Sequence, residues 1–329
     1  MMIRSLHRRS LCLLAAAAVV GAAAGAHAED KYPSRPLKLI APIAPGGLTD
    51  SLARVLATAL GERLGQSVVV DNRAGAGGII GMTAAAQSAP DGYSLVIVYQ
   101  GIASVNPVLR KDLSYDTLRD FTPVGLSGGF PLALVVKADL PVKSVDDLVR
   151  LARSQPGRLS YASAGAATSS HLTMELFKSR TNLDIVHVPY KGEAPALNDL
   201  LAGQVDVVFT SLASVLPHLS NPRLKVLAVT TENRSKLAPD IPTVAESGVP
   251  GFQSTGWYGL MAPTGTPAPI VERLNRELVT VLENADMRAR LQAMGLEAFS
   301  SSPEAMRRFI AEDMAKWRKV IAESGIKVD

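Results

Sequence analysis

Short apolar runs alternate with amphipathic stretches along most of the chain, and this alternation predicts strands that are followed by helices. In the first third, the predicted strands are 37–43, 68–70 and 94–99. Between the first two, apolar residues recur at helical spacing, at Leu52, Val55, Leu56, Leu60 and Leu64. Strand–helix–strand units joined by short glycine and proline turns favour parallel sheets with right-handed crossovers.

The same pattern starts again near residue 130. The strands predicted there are 132–136, 159–163, 185–189, 205–210 and 226–230, with helices over 145–154, from about 171, and over 194–202. Ser144, with Asp147 three residues later, resembles the box that caps a helix N-terminus. Two rounds of one α/β arrangement in a chain of 329 residues indicate two domains.

The last third predicts two long amphipathic helices, which we expect to cover the sheet of the first lobe. The chain would then cross between lobes twice, near residues 121–131 and 252–262, and two crossings make a hinge. We therefore predict an α/β fold of two lobes. Residues 29–126 plus 257–329 would form lobe 1, and residues 127–256 would form lobe 2.

The N-terminus has the three-part layout of a secretory signal peptide. Arg4, Arg8 and Arg9 form a basic start, residues 11–26 carry no charge, and a small-residue cleavage signal ends at Ala28. We expect cleavage of residues 1–28 and export to the periplasm. The paired arginines leave the general secretory and twin-arginine routes open.

Composition excludes several classes of function. The single cysteine, Cys12, lies in the signal peptide, so the mature chain has no disulfide, thiolate nucleophile or cysteine-ligated metal. The formal charge is +4, including the signal-peptide arginines, and the mature chain has no basic cluster to bind nucleic acid. The histidines His171, His187 and His218 lack metal-ligand spacing. We expect no metal, no cofactor and no nucleic-acid partner.

Two loops stand out because each follows a predicted strand and opens a predicted helix. The first N–H groups of a helix lack intrahelical partners, and the helix dipole adds partial positive charge, so such a start can bind an anion. Small residues also let a ligand approach the backbone. The candidate ligand-binding residues are Pro45, Gly46, Gly47, Leu48, Thr49 and Asp50 in the first loop, and Gly165, Ala166, Ala167, Thr168, Ser169, Ser170 and His171 in the second.

Two candidates lie outside these loops. Tyr190 belongs to a turn-like segment that follows a strand, and Asp206 is an acid inside an apolar strand. Asp206 could hold a ligand ammonium or a loop N–H, or it could pair within the protein.

An enzyme is the rival class. Residues 125–129 match G-x-S-x-G, the pattern of an esterase elbow, and a periplasmic hydrolase could use Ser127 or Ser169 with His171. That elbow needs a strand before it and a helix after it, whereas a strand-like run follows here. We therefore predict a binding protein and no enzyme.

Six motifs, in this order, resemble those of the Bug family, the extracytoplasmic receptors of tripartite tricarboxylate transporters. They are PGGLTD at 45–50, NRAGAGG at 72–78, PDGY at 90–93, YASAG at 161–165, HVPYKG at 187–192 and PTVAESG at 242–248. Together they cover nearly all of the mature chain.

The resemblance implies a periplasmic-binding-protein (Venus-flytrap) fold that closes on a small carboxylate. It implies that backbone N–H groups of the two loops grip one carboxylate, and that a membrane permease is the partner. We expect a monomer. A receptor that feeds a sensor kinase remains an alternative.

Some positions depart from the family pattern. Ile43 stands where an aromatic residue is usual, Ala44 where proline is, and Ala167 where glycine is common. Thr210 and Ser211 replace a frequent Asp-Asn pair. These positions concern the part of the pocket that would contact the ligand beyond the carboxylate held by the two loops. Which carboxylate is bound therefore stays open.

Overall fold

The computed structural model describes residues 32–165 and 168–324, so the predicted signal peptide lies outside it. In this part of the chain the strands are β1 (Leu37–Ala41), β2 (Val68–Asn72), β3 (Ser94–Tyr99), β4 (Phe121–Lys137), β5 (Ser160–Ser163), β6 (Val186–Pro189), β7 (Val207–Ser211), β8 (Leu224–Val229) and β9 (Thr255–Pro263).

The helices follow the strands in the predicted alternation. They are α1 (Leu48–Leu64), α2 (Ile79–Ala86), α3 (Asn106–Leu109), α4 (Val145–Ser154), α5 (Ser169–Thr181), α6 (Glu193–Leu201), α7 (Leu212–Val215), α8 (Ala268–Glu283), α9 (Ala285–Ala293) and α10 (Pro303–Ser324). Each predicted strand and helix is present, and most ends differ by a few residues; the exception is the strand predicted over 132–136, which is the second part of β4 and begins at Phe121.

The strands run in the order β2-β1-β3-β9-β4-β7-β5-β6, and β8 pairs with β4. The first sheet contains β1, β2 and β3, which are parallel, together with β9 and the start of β4. The second sheet contains the end of β4 with β5, β6, β7 and β8. The predicted parallel units are confirmed for β1–β3 and β5–β7, whereas β4 runs antiparallel to its neighbours β7, β8 and β9.

Strands β4 and β9 carry the chain between the two sheets. β4 pairs with β9 from Phe121 to Pro131, and from Leu132 onward it pairs with β7 and β8. Thr230 joins the two crossings, because its Oγ1 accepts the Leu132 N–H at 3.0 Å and its carbonyl oxygen accepts the Ser254 N–H at 2.9 Å. The predicted pair of crossings is confirmed, and the crossings form a paired ribbon.

Glycines permit the close packing of this ribbon. A Cβ at Gly129 would lie 2.4 Å from the carbonyl oxygen of Gly256, and a Cβ at Gly256 would lie 2.1 Å from the Phe130 ring. Ser127, in the same G-x-S-x-G motif, is fully buried inside β4. The motif therefore belongs to a packed strand and forms no esterase elbow.

Helix α10 packs on both lobes. Met306 and Ile310 join an apolar cluster of the first lobe, and Trp317 and Val320 join the main cluster of the second. The expectation that the C-terminal helices cover the first lobe alone is therefore wrong for the second half of α10. Its 22 residues span about 33 Å, which is long enough to reach past one sheet.

We expect Trp317→Ala to lower the free energy of unfolding by about 3–5 kcal/mol, because it removes a fully buried ring from the second lobe's core. Chemical denaturation measures this change. Arg318→Ala, at the next, exposed position of the same helix, is the control and should have little effect. A small loss for Trp317→Ala would show that α10 contributes little to the second lobe.

Candidate functional site

The first loop is held in shape by Asp50. Its carboxylate accepts hydrogen bonds from the Gly46 N–H at 3.0 Å, from Arg54 Nε at 3.1 Å and from Asn72 Nδ2 at 2.9 Å. The Gly46 N–H, with Arg54 and Asn72, lowers the pKa of Asp50 to about 2. Asp50 therefore positions the loop from beneath, and the Gly46 N–H is already used in doing so.

The N–H groups that follow in this loop are open to a ligand. Gly47 is the N-cap of α1, and no side chain caps this helix start. Gly47 has an ordinary φ of −86°, and a Cβ built on it would have no atom within 4 Å. Because the first N–H groups of a helix lack intrahelical partners, this open start can bind an anion.

The second loop connects β5 to α5 and is braced by its own hydroxyls. Thr168 Oγ1 donates to the Gly165 carbonyl oxygen at 2.7 Å, and Ser170 Oγ accepts the Ala164 N–H at 2.9 Å. The N-cap Thr168 bonds to Ser170 Oγ at 3.0 Å, but its side chain accepts no backbone N–H of the helix start. Thr168 and Ser170 therefore shape the loop and leave the helix N–H groups open. The predicted contacts Ala166 and Ala167 lie outside the described residues.

Ser169 turns toward the other lobe. Its Oγ lies 3.5 Å from Oε1 of Gln100, which directly follows β3. Since β1 and β3 are parallel neighbours, Gln100 and the first loop lie at the same edge of the first sheet. The contact between Ser169 and Gln100 therefore brings the start of α5 to the sheet edge where the first loop lies, and the space between the two helix starts is here called the cleft.

Tyr258, on the crossing strand β9, also belongs to the cleft. Its hydroxyl oxygen accepts a hydrogen bond from Thr49 Oγ1 at 3.4 Å. Burial raises the pKa of Tyr258, so the phenol stays protonated. Neither Gln100 nor Tyr258 is among the site residues predicted from the sequence. The position of Gln100 at a strand's carboxyl end was the available signal, because ligand sites of α/β proteins gather there.

His171 lies beneath the second loop. Its ring stacks on His187 with centroids 4.1 Å apart, and His187 Nε2 is 2.7 Å from Ser163 Oγ. Burial, with a smaller effect of His187, lowers the pKa of His171 to about 4, and burial also lowers the pKa of His187. Both rings are therefore neutral at pH 7, and His171 supports the loop from the core side.

Of the two candidates outside the loops, Tyr190 lies beside the site and Asp206 lies away from it. The Tyr190 hydroxyl donates to Asp199 at 2.7 Å, and a Cβ on Gly165 would touch the Tyr190 carbonyl oxygen, so Tyr190 packs beside the second loop. Asp206 lies at the opposite end of β7 from Ser211. There it pairs with Lys137 Nζ at 2.9 Å and accepts the Ser160 N–H at 2.8 Å. Of the three roles open to Asp206, the structure shows pairing within the protein.

The chain matches known proteins over nearly its whole length. The sequence profile of the tripartite tricarboxylate transporter family receptors matches residues 52–326. Protein BugT of Bordetella pertussis is 39% identical over 320 residues, which cover 96% of this chain and 98% of BugT. The chain belongs to the family of tripartite tricarboxylate transporter receptors. The resemblance noted from its motifs is thereby confirmed.

Solved structures of this family share the fold. A protein of R. palustris, solved with adipate, is 39% identical with a TM-score of 0.74, and the match covers 90% of this chain and 99% of that one. MatC of Rhodopseudomonas palustris, solved with bound malate, is 32% identical with a TM-score of 0.70 over 88% and 100% of the chains. A ligand-free TctC solute binding protein from Polaromonas is 30% identical with a TM-score of 0.81 over 89% and 99%. These likenesses confirm the predicted two-lobed binding-protein fold.

The described part of the chain contains neither a metal-binding cluster nor a membrane-spanning helix. Over residues 32–165 and 168–324, no three His, Cys, Asp or Glu side chains group to hold a metal ion. Within the same ranges, no helix has both the length and the apolar character that crossing a membrane requires.

The histidine stack predicts a pH dependence of stability. Because the pKa of His171 is lower in the folded protein than in the unfolded chain, the unfolded chain binds more protons between about pH 6.5 and 4. We expect stability to fall by about 2 kcal/mol as the pH drops through this window. Asp50 contributes to the pH dependence only below this window. Its carboxylate stabilises the fold at higher pH, and this stabilisation is lost as the pH falls toward its pKa of about 2.

Thermal unfolding between pH 7 and pH 4.5 measures this loss. The variant His171→Gln cannot titrate and should show a flatter dependence, whereas His218→Gln, outside the stack, should keep the original slope. Equal slopes for His171→Gln and the unmodified protein would contradict this origin of the pH dependence.

Proposed function

We propose that the chain is an exported receptor that binds a small carboxylate between its two lobes and presents it to a membrane permease. The observation that carries this proposal is the meeting of two uncapped helix starts, those of α1 and α5, across one cleft. Both offer N–H groups and partial positive charge to the same space.

This arrangement suits an anion that must be captured and released. Backbone N–H groups are held in place by the fold and carry no full charge. The empty site therefore avoids the cost of burying an unpaired Arg or Lys. Gly47 permits close approach in the first lobe, and the Ser169 hydroxyl can add a donor from the second. The adipate and malate of the solved relatives support a carboxylate as the ligand class.

The protein works by closing on this ligand. A carboxylate that contacts both loops gains its full set of hydrogen bonds only when the lobes approach, so binding favours the closed form.

The cellular setting follows from the N-terminal signal and the family. We infer cleavage after Ala28, a periplasmic location and function as a monomer. The permease is the membrane partner of this receptor family, and a sensor kinase is the alternative recipient of the signal.

The hydrolase alternative finds little support in the described residues. Ser127 is fully buried in a strand. Ser163 does contact His187, but Ser163 is also fully buried and its Oγ accepts the Gly165 N–H. Neither of these two serines can reach a substrate in the cleft. Ser169 does lie at the cleft, but its Oγ donates to Gln100 Oε1, whereas His171 is buried and stacks on His187.

A panel of mono-, di- and tricarboxylates tests the proposed function by thermal shift and calorimetry. A ligand at a hundredfold excess over its Kd should stabilise the fold by about 2.7 kcal/mol. Ester substrates, screened in parallel, should not be turned over. Ester hydrolysis without any carboxylate-induced shift would favour the enzyme and overturn the receptor.

We expect Gly47→Leu to weaken carboxylate binding at least tenfold, because its side chain would block the approach to the N–H groups of α1. The fold should tolerate it, since the φ of Gly47 is ordinary and the space around it is open. Ser169→Ala should cost about 1–3 kcal/mol of binding, as for a lost hydrogen bond to a charged group.

Calorimetry with a ligand from the panel measures both effects, and melting temperatures report on the fold. The control is Ser67→Ala, an exposed serine at the start of β2, on the edge away from the loops. Unchanged affinity in both cleft variants, with preserved melting temperatures, would remove these loops from the site.

A further inference from the structure

Glu193 is an acidic residue that the predicted site did not include, and it lies against the second loop. It is the first residue of α6 and directly follows Gly192. The Gly192 N–H donates to the Ala164 carbonyl oxygen at 3.1 Å, which ties the start of α6 to the loop. The backbone of Glu193 therefore lies next to the second loop, at the edge of the cleft.

The Glu193 carboxylate is held in a fixed position by two serines. It accepts hydrogen bonds from the Ser211 N–H at 3.2 Å, from Ser211 Oγ at 3.0 Å and from Ser214 Oγ at 2.9 Å. Ser211 ends β7, which is parallel to β5, and Ser163 at the end of β5 opens the second loop. The carboxylate therefore lies at the same sheet edge as the second loop.

On its other side Glu193 lies toward the crossing strands, because Ser211, which holds its carboxylate, pairs with Leu132, where β4 leaves β9. Burial is the main cause that raises the pKa of Tyr258, and the negative charge of Glu193 adds to it. The Tyr258 hydroxyl is itself bonded to Thr49 in the first loop. Glu193 therefore lies between the second loop and the crossing strands, and its charge acts on a tyrosine that contacts the first loop.

The charge of Glu193 has no cationic partner in residues 32–165 and 168–324, where none of the ion pairs includes it. The three hydrogen bonds leave acceptor capacity on a carboxylate, which offers about four lone-pair positions. The side chain is half-buried, so closing the cleft removes more of its water. A carboxylate that loses water favours a nearby positive charge and disfavours a second negative one.

We propose that Glu193 determines ligand specificity, and that the receptor selects a carboxylate that also carries a protonated amine over a dicarboxylate of equal length. This inference rests on the proposed function. The helix starts would bind the ligand's carboxylate, and Glu193 would pair with its ammonium group. A second carboxylate in that position would face Glu193 and be repelled.

Calorimetry on the unmodified protein with matched probe pairs tests the preference. Each pair shares a linker of one to four methylenes and differs only in the far group: glycine and malonate, 3-aminopropanoate and succinate, 4-aminobutanoate and glutarate, 5-aminopentanoate and adipate. We expect the amino acid of the best-fitting pair to bind at least about tenfold more tightly than its dicarboxylate partner. A preference for the dicarboxylate in every pair would overturn the proposal and leave the receptor function standing.

The variant Glu193→Gln assigns the preference to this residue. It keeps the size of the side chain and removes the charge, so the ratio of the two affinities should shift toward the dicarboxylate by about tenfold or more. Glu62→Gln, an exposed acid on α1, makes the same change in net charge and should leave the ratio unaltered. An unaltered ratio in Glu193→Gln would overturn the role of Glu193. If no probe and no member of the carboxylate panel binds, both this inference and the proposed function fail.

Discussion

The site depends on two helix starts whose N–H groups no side chain caps. A helix normally satisfies these donors by a cap or by water, and here Gly47 and Thr168 at the N-cap positions leave them open. The surrounding polar groups are arranged to keep them so. Asp50 fixes the first loop through the Gly46 N–H, and Ser170 fixes the second through the Ala164 N–H. The polar side chains of both loops thus act mainly as internal supports, which leaves the backbone N–H groups open to the proposed ligand.

Local signals in the sequence predicted the elements well. Helix α4 has the predicted bounds because Ser144 caps it, with its Oγ accepting the Asp147 N–H at 3.1 Å. Strand β3 also matches, since an apolar run between polar turns leaves little choice of ends. The predictions that failed concern where a residue lies in the folded protein. Asp206 is in an apolar strand, but which end of the strand faces the cleft follows from sheet order, which periodicity does not specify.

The connection between the lobes limits how they can move. The two crossing strands are paired and joined at Thr230, which disfavours swivelling and leaves bending of the ribbon as the easy motion. Helix α10 adds a third link, because Met306 packs on one lobe and Trp317 on the other. Closure must therefore bend α10 or shift one of its contacts. The ligand can favour the closed form only by the difference in its binding energy between the two forms.

In the proposed site, affinity and selectivity come from different groups. In the proposed function, backbone N–H groups at the two helix starts would hold any carboxylate in much the same way, so they would discriminate little between members of that class. Discrimination requires a side chain whose charge or shape penalises the wrong ligand, and such a group must be rigid to be effective. Glu193 meets that condition, because Ser211 and Ser214 fix its carboxylate. It lies on α6, beside the second loop but not within it, so its identity can change while the N–H groups of both helix starts stay in place. The same scaffold can in this way serve ligands that share one carboxylate and differ in the rest.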